Sequence, residues 1–75
     1  NERREDIALL TRHFIEHYCV LYGKPRMNLT RRAEALLQRH DWSGNVRELE
    51  GVVAYSTMMA EGDGIDVGDF PDSLR

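Results

Sequence analysis

The run Asp41-Trp42-Ser43-Gly44-Asn45-Val46-Arg47-Glu48-Leu49 places an aromatic anchor, a tight turn, a helix start and a fixed cation in immediate succession. Ser43-Gly44 is a turn dipeptide between two segments of helical apolar spacing. Asn45 followed by Glu48 has the spacing of a capping box, with Asn in place of Ser or Thr. A helix is predicted to start at Asn45. Arg47 then sits at its second position, where unpaired backbone N–H groups and the positive end of the macrodipole favour an anion. Its guanidinium adds a planar fork matched to phosphate oxygens. The chemistry this arrangement offers is phosphate recognition. The same spacing also suits a solvated Arg47 paired with Glu50 or Asp41, and the residues alone leave both readings open.

Other constellations offer less. His13 and His17 stand at i and i+4, a spacing that can hold zinc when a third ligand arrives. Cys19 falls on a different side of that helix and there is no metalloprotease Glu between the histidines, so no metal site is expected. Ser43, Ser56 and Ser73 lack an elbow or a base at recognisable spacing, and no glycine-rich phosphate loop with its lysine is present. No catalytic residue is expected in this chain.

The elements that must carry Arg47 follow from apolar periodicity. Residues 1–6 are charged, with Glu5 and Asp6 placed for the positive end of the helix that follows. From Ile7 a stripe of Ile7, Leu10, Phe14, Tyr18 and Leu21 predicts a helix to about Tyr22, stopped by Gly23 and Pro25. Residues 23–28 read as a solvated loop, whose Lys24 and Arg26 have the alternative of a phosphate or an acidic neighbour. Thr30 is predicted to cap a second helix to about His40, with Ala33, Leu36, Leu37 and His40 on one face. Trp42, in a short connection, is expected to be buried between the second and third helices. The third helix, Asn45 to about Ala60, carries a stripe at Val46, Leu49, Val53 and Ala60, widened by Val52 and Met59. Arg47, Gly51 and Ala54 share another face. A glycine there costs about 1 kcal/mol relative to alanine, which either a close contact or simple tolerance accounts for. Residues 61–64 break the helix, Asp66 is predicted to cap one turn through Phe70, and Ile65 and Phe70 are expected to pin the tail. No period-two run is long enough for a sheet, so the expected class is all-α: a small three-helix bundle plus a short C-terminal helical turn.

Length and composition agree with a small module. Seventy-five residues make one domain of modest stability or a piece of a larger protein, and the second is the expectation. The net charge of −3 argues against a surface built for nucleic acid or anionic membrane. No signal-peptide pattern and no run of about twenty apolar residues occurs. The single cysteine, Cys19, cannot form an internal disulfide. A cytoplasmic protein is expected.

Taken as a string, Trp42-Ser43-Gly44-Asn45-Val46-Arg47-Glu48-Leu49 resembles the second sensor motif of the AAA+ ATPase domain in sigma-54-dependent transcriptional activators, the bacterial enhancer-binding proteins. A looser likeness runs from Glu5-Asp6-Ile7 through Phe14, Gly23 and Leu36 to Ile65 and Phe70-Pro71. Three positions depart from the pattern: Ser43 stands where proline is usual, Gly51 where asparagine is frequent, and Phe70 where leucine precedes the proline. The resemblance implies one helical lid subdomain over residues 1–75, with 1–6 a lead-in from an ATPase core and 62–75 a C-terminal tail, so that the chain begins at a domain boundary. It implies that Arg47 contacts the phosphates of ATP, with Gly44 and Asn45 beside it at the nucleotide. Mg would be bound mainly by the core, which also carries the phosphate loop and the arginine finger, so the lid alone is expected not to be an enzyme. The implied partners are that core, neighbouring subunits of a ring, and RNA polymerase bearing sigma-54 through the parent protein, with no membrane and no direct DNA contact. Two other classes remain open: a helix-turn-helix DNA-binding module presenting Asn45, Arg47 and Glu48, and an interaction bundle using Tyr22, Tyr55 and Met58. Salt-dependent DNA binding would favour the first of these, and a stable partner without nucleotide the second.

Overall fold

A computed structural model describes residues 4–42 and 46–74, and carries three helices, α1 (Arg4–Tyr22), α2 (Arg31–Arg39) and α3 (Val46–Met59). Helices dominate, as expected. A short parallel strand pair, β1 (Asn28–Leu29) and β2 (Gly64–Ile65), and two 3-10 turns, Val67–Asp69 and Asp72–Leu74, complete the described elements.

Helix α1 starts at Arg4, so its first turn takes in residues expected to precede it. Its 19 residues span roughly 28 Å, beside a longest extent of 33 Å for the molecule. The buried line is Thr11, Ile15 and Cys19, flanked by half-buried Ile7, Leu10, Phe14 and Tyr18, while Leu21 is 63% exposed. The stripe is therefore rotated from the one that the large apolar side chains suggested. Thr11 can lie at its centre because its hydroxyl donates to the Ile7 carbonyl at 2.7 Å and needs no water. Helix α1 ends in a Schellman motif: Gly23 has φ 68°, its N–H donates to Val20 O at 3.2 Å, and Lys24 N–H donates to Cys19 O at 2.9 Å.

The loop that follows is not merely solvated. The Lys24 ammonium donates to the carbonyls of Thr57, Met58 and Ala60 at 3.0, 2.6 and 3.0 Å, capping the C-terminus of α3. Met27 is buried. Asn28 and Leu29 pair in register with Gly64 and Ile65, extended by Asn28 N–H to Asp63 O and Thr30 N–H to Ile65 O, both 3.0 Å. A ladder two residues long leaves no alternation in the sequence to reveal it.

Thr30 caps α2 as expected, its hydroxyl oxygen accepting from Ala33 N–H at 3.2 Å. Ala33 and Leu37 face the core. Helix α3 buries Leu49, Val53, Ser56 and Thr57, and Ala60 follows at its end. Ser56 donates to Val52 O at 2.7 Å. Val46 and Met59, expected in the stripe, are 47% and 49% exposed. Val46 shares the angular position of Val53 but lies at the helix end, beyond the packed body, and Met59 is turned roughly 100° from the buried line. The tail seals the base of the core with Ile65, Phe70 and Leu74. Asp66 caps the first 3-10 turn in a capping box with Asp69, whose carboxylate accepts Asp66 N–H at 2.9 Å. Leu74, carried by the second turn beyond Pro71, is an anchor that the sequence reading did not include. No described helix is long and apolar enough to cross a membrane.

Candidate functional site

Helix α2 delivers the chain to the motif. His40 is its C-cap, leaving the helix in extended conformation with its N–H donating to Leu36 O at 3.1 Å. Trp42 then turns back into the core, 4% exposed, and its indole N–H donates to Leu37 O at 2.8 Å. That bond satisfies the polar edge of the ring while the rest of it is packed. The expected burial of Trp42 holds. His40 packs edge-on against it, with ring centroids 4.4 Å apart.

Ser43, Gly44 and Asn45 lie outside the described residues, and with them the turn, the expected helix cap and two of the three residues placed at the nucleotide by resemblance. The third, Arg47, is in the first turn of α3 and exposed. Leu49, two residues on, is fully buried. Two residues correspond to roughly 200° around the helix, so the core contact of Leu49 directs Arg47 almost straight outward. Glu48 lies about 100° from Arg47 and approaches His40, its Oε2 3.6 Å from His40 Nε2. Beyond Arg47 on the same face come Gly51, where an added Cβ would meet nothing within 4 Å, and half-buried Ala54. Among the described residues no contact therefore requires a glycine at 51.

Helix α3 is tied to α1 along its flank. The Tyr18 hydroxyl donates to Glu50 Oε2 at 2.8 Å, and this bond to a carboxylate holds the Tyr18 phenol above its ordinary pKa. At the far end of the bundle Asp66 accepts from Thr30 Oγ1 at 2.7 Å, from Arg32 Nε and Nη2 at 2.9 and 2.8 Å, and from Val67 N–H at 2.8 Å. The Arg32 fork, then Thr30 and Val67, hold its carboxyl well below the usual carboxylate range. Arg32 is correspondingly raised, first through its hydrogen bonds to Asp66.

A groove of about 340 Å³ lies between α1, residues 26–29 and α2, and is lined by charges of both signs, among them Arg12, Glu16, Arg26 and Glu34. It includes neither Arg47 nor Trp42, and its mixed charge does not select an anion. Among the described residues no group of three His, Cys, Asp or Glu side chains is placed to hold a metal ion. His13 and His17 are exposed on α1. The sequence reading missed the roles of Lys24, Arg32 and His40, whose partners are between 8 and 36 residues away.

The sequence matches the family described as the AAA+ ATPase lid domain over residues 1–75. It is similar to the DNA-binding transcriptional regulator NtrC of Escherichia coli strain K12, 41% identical over 73 residues, covering 97% of this chain and 16% of that protein. It is also similar to the Sigma54-dependent transcriptional regulator SfnR of Pseudomonas fluorescens, 38% identical over 68 residues, covering 91% of this chain and 18% of the relative. Among solved structures, NtrX from Brucella abortus in complex with ADP superposes with a TM-score of 0.79 at 32% identity, over 96% of this chain and 17% of that one. The chain thus spans less than a fifth of the length of each. The resemblance carried by residues 42–49 is met by the family and by these relatives.

Proposed function

Because the chain belongs to the AAA+ ATPase lid domain family, we propose that it is the lid of a sigma-54-dependent activator, closing over ATP and reading its phosphates through Arg47. The observation that carries this reading is the placement of Arg47: exposed, in the first turn of α3, and opposed by the buried Leu49 that fixes the face. A guanidinium beside the positive end of a helix suits a multiply charged anion. Gly44 and Asn45, immediately before that helix, belong to the same proposed contact. The NtrX structure in complex with ADP supports a nucleotide as the anion.

The chemistry of the lid is binding and orientation. Nucleotide brings negative charge to a surface that Arg47 neutralises, and the packed helices behind it convert that contact into a position of the whole lid. Mg supplies charge neutralisation at the phosphates when bound, and its ligands belong to the ATPase core of the parent protein. The further partners in this reading are that core, neighbouring subunits of a ring, and RNA polymerase bearing sigma-54.

The test uses the complete ATPase with Arg47→Ala and Arg47→Lys. Arg47 is exposed, so Ala is expected to leave stability within roughly 0.5 kcal/mol. Loss of a charge-assisted phosphate contact worth about 1.5–3 kcal/mol reduces nucleotide affinity or turnover roughly ten- to a hundred-fold. Lysine restores charge without the fork, and rescue is partial. Normal melting with wild-type affinity and turnover would sink the assignment.

A further inference from the structure

We propose that His40 is a positioning residue for Arg47: its imidazole pins the first turn of α3 to the end of α2 through Glu48, which fixes the angle at which the guanidinium is presented. The inference rests on the phosphate-reading role of Arg47.

His40 is held on two sides before it reaches α3. Its backbone N–H closes α2 on Leu36 O, and its ring lies against Trp42, itself locked by the indole bond to Leu37 O. The imidazole is 28% exposed, too enclosed to wander as a surface side chain does, and its Nε2 stands 3.6 Å from Glu48 Oε2. At that distance the contact is electrostatic, longer than a good hydrogen bond. The place it acts is where an α-helix is least determined, since the first turn contributes N–H groups with no partner inside the helix.

Glu48 and Arg47 are adjacent on that turn and point about 100° apart. A restraint on Glu48 from α2 therefore sets the rotation and tilt of the turn without engaging the face that carries Arg47. Recognition of a phosphate by a planar fork is directional, and displacement of a contact by about 1 Å can cost as much as a hundred-fold in rate. His40 also joins the buried Trp42 to the exposed turn, so a push on Arg47 is passed to the packed body of the bundle.

The experiment uses the complete ATPase, with ADP affinity, the KM and kcat for ATP, and melting as readouts. His40→Phe keeps a ring against Trp42 and removes the nitrogen that meets Glu48; His40→Gln keeps a donor of similar reach; Glu48→Gln keeps shape and removes charge. His40→Phe and Glu48→Gln are each expected to weaken ADP binding and raise KM about three- to ten-fold, with kcat changed less, a coupling typical of neighbouring residues. His40→Gln recovers most of the loss. In an Arg47→Ala background His40→Phe adds no further loss, because the residue through which it acts is gone. Wild-type affinity for both His40→Phe and Glu48→Gln overturns the proposal, as does an undiminished loss in the Arg47→Ala background. If His40→Phe does not fold, Glu48→Gln alone and combined with Arg47→Ala decides by the same criteria. The Arg47 reading fails separately, when Arg47→Ala itself binds and turns over nucleotide as wild type does.

Discussion

Replacing Lys24 by Met removes the ammonium that closes the C-terminus of α3 while keeping an unbranched stem of similar length. The three carbonyls of Thr57, Met58 and Ala60 lie 2.6–3.0 Å from Nζ. Bonds of this kind, at the low end of the charge-assisted range, contribute roughly 1.5 kcal/mol each. Immobilising a lysine side chain costs about 2 kcal/mol, and water takes over the exposed carbonyl of Met58 when the ammonium leaves. A net loss of about 1 kcal/mol remains, within the range measured for a cation at a helix C-terminus. In a domain of this size that lowers Tm by roughly 6 °C. The assay is thermal and urea melting of Lys24→Met beside Arg26→Met. Arg26 pairs with Glu16 at 3.1 Å, but both are exposed, so its replacement is expected to cost about 0.5 kcal/mol or less. If Lys24→Met melts no lower than Arg26→Met, the cap does not stabilise the fold and the reasoning fails.

Trp42→Ala is expected to cost about 3–5 kcal/mol, enough to unfold a marginal bundle, and the emission of Trp42 in the folded domain is expected to be that of a buried indole. A spectrum typical of water-exposed tryptophan would contradict the packing on Leu37. The Asp66 carboxyl titrates below its unfolded value, so its bonds to Arg32, Thr30 and Val67 stabilise the fold fully above about pH 4. That contribution is lost as pH falls through the lowered folded value. Asp66→Asn should reduce stability at neutral pH and flatten the acid side of the stability profile, and an unchanged profile would show that the cluster does not couple to folding. The isolated 75-residue chain is expected to release no phosphate from ATP above background, since Arg47 alone neither holds metal nor positions water; sustained turnover by purified chain would refute this.

Local devices were legible in the sequence because each is written within a few residues. Gly23 stops α1 at the predicted place, Thr30 caps α2, Asp66 caps the turn after α3, and Trp42 is buried. What was not legible is the set of contacts closed by the fold. Lys24 meets α3 more than thirty residues later, and nothing around it marks three carbonyls converging on its ammonium. The rotation of the α1 stripe follows from Thr11, which counts as polar in a periodicity and yet is buried because its own helix satisfies it. His40 was read as a core-facing position of α2, and its approach to Glu48 depends on a turn whose geometry composition does not set.

These contacts also give the bundle a direction. The ends of α1 and α3 meet at Lys24, the start of α2 is tied to the tail by Thr30, Arg32 and Asp66, and the strand pair joins the same two segments. Backbone and charged bonds thus converge where α1 and α3 end and α2 begins. At the opposite end, where α2 leaves and α3 starts, the indole of Trp42 bonds Leu37, His40 stands near Glu48, and Tyr18 ties the first turns of α3 to α1 through Glu50. In the proposed reading a phosphate contact of Arg47, worth about 1.5–3 kcal/mol, falls at this end and reaches the packed core through Leu49, buried two residues on.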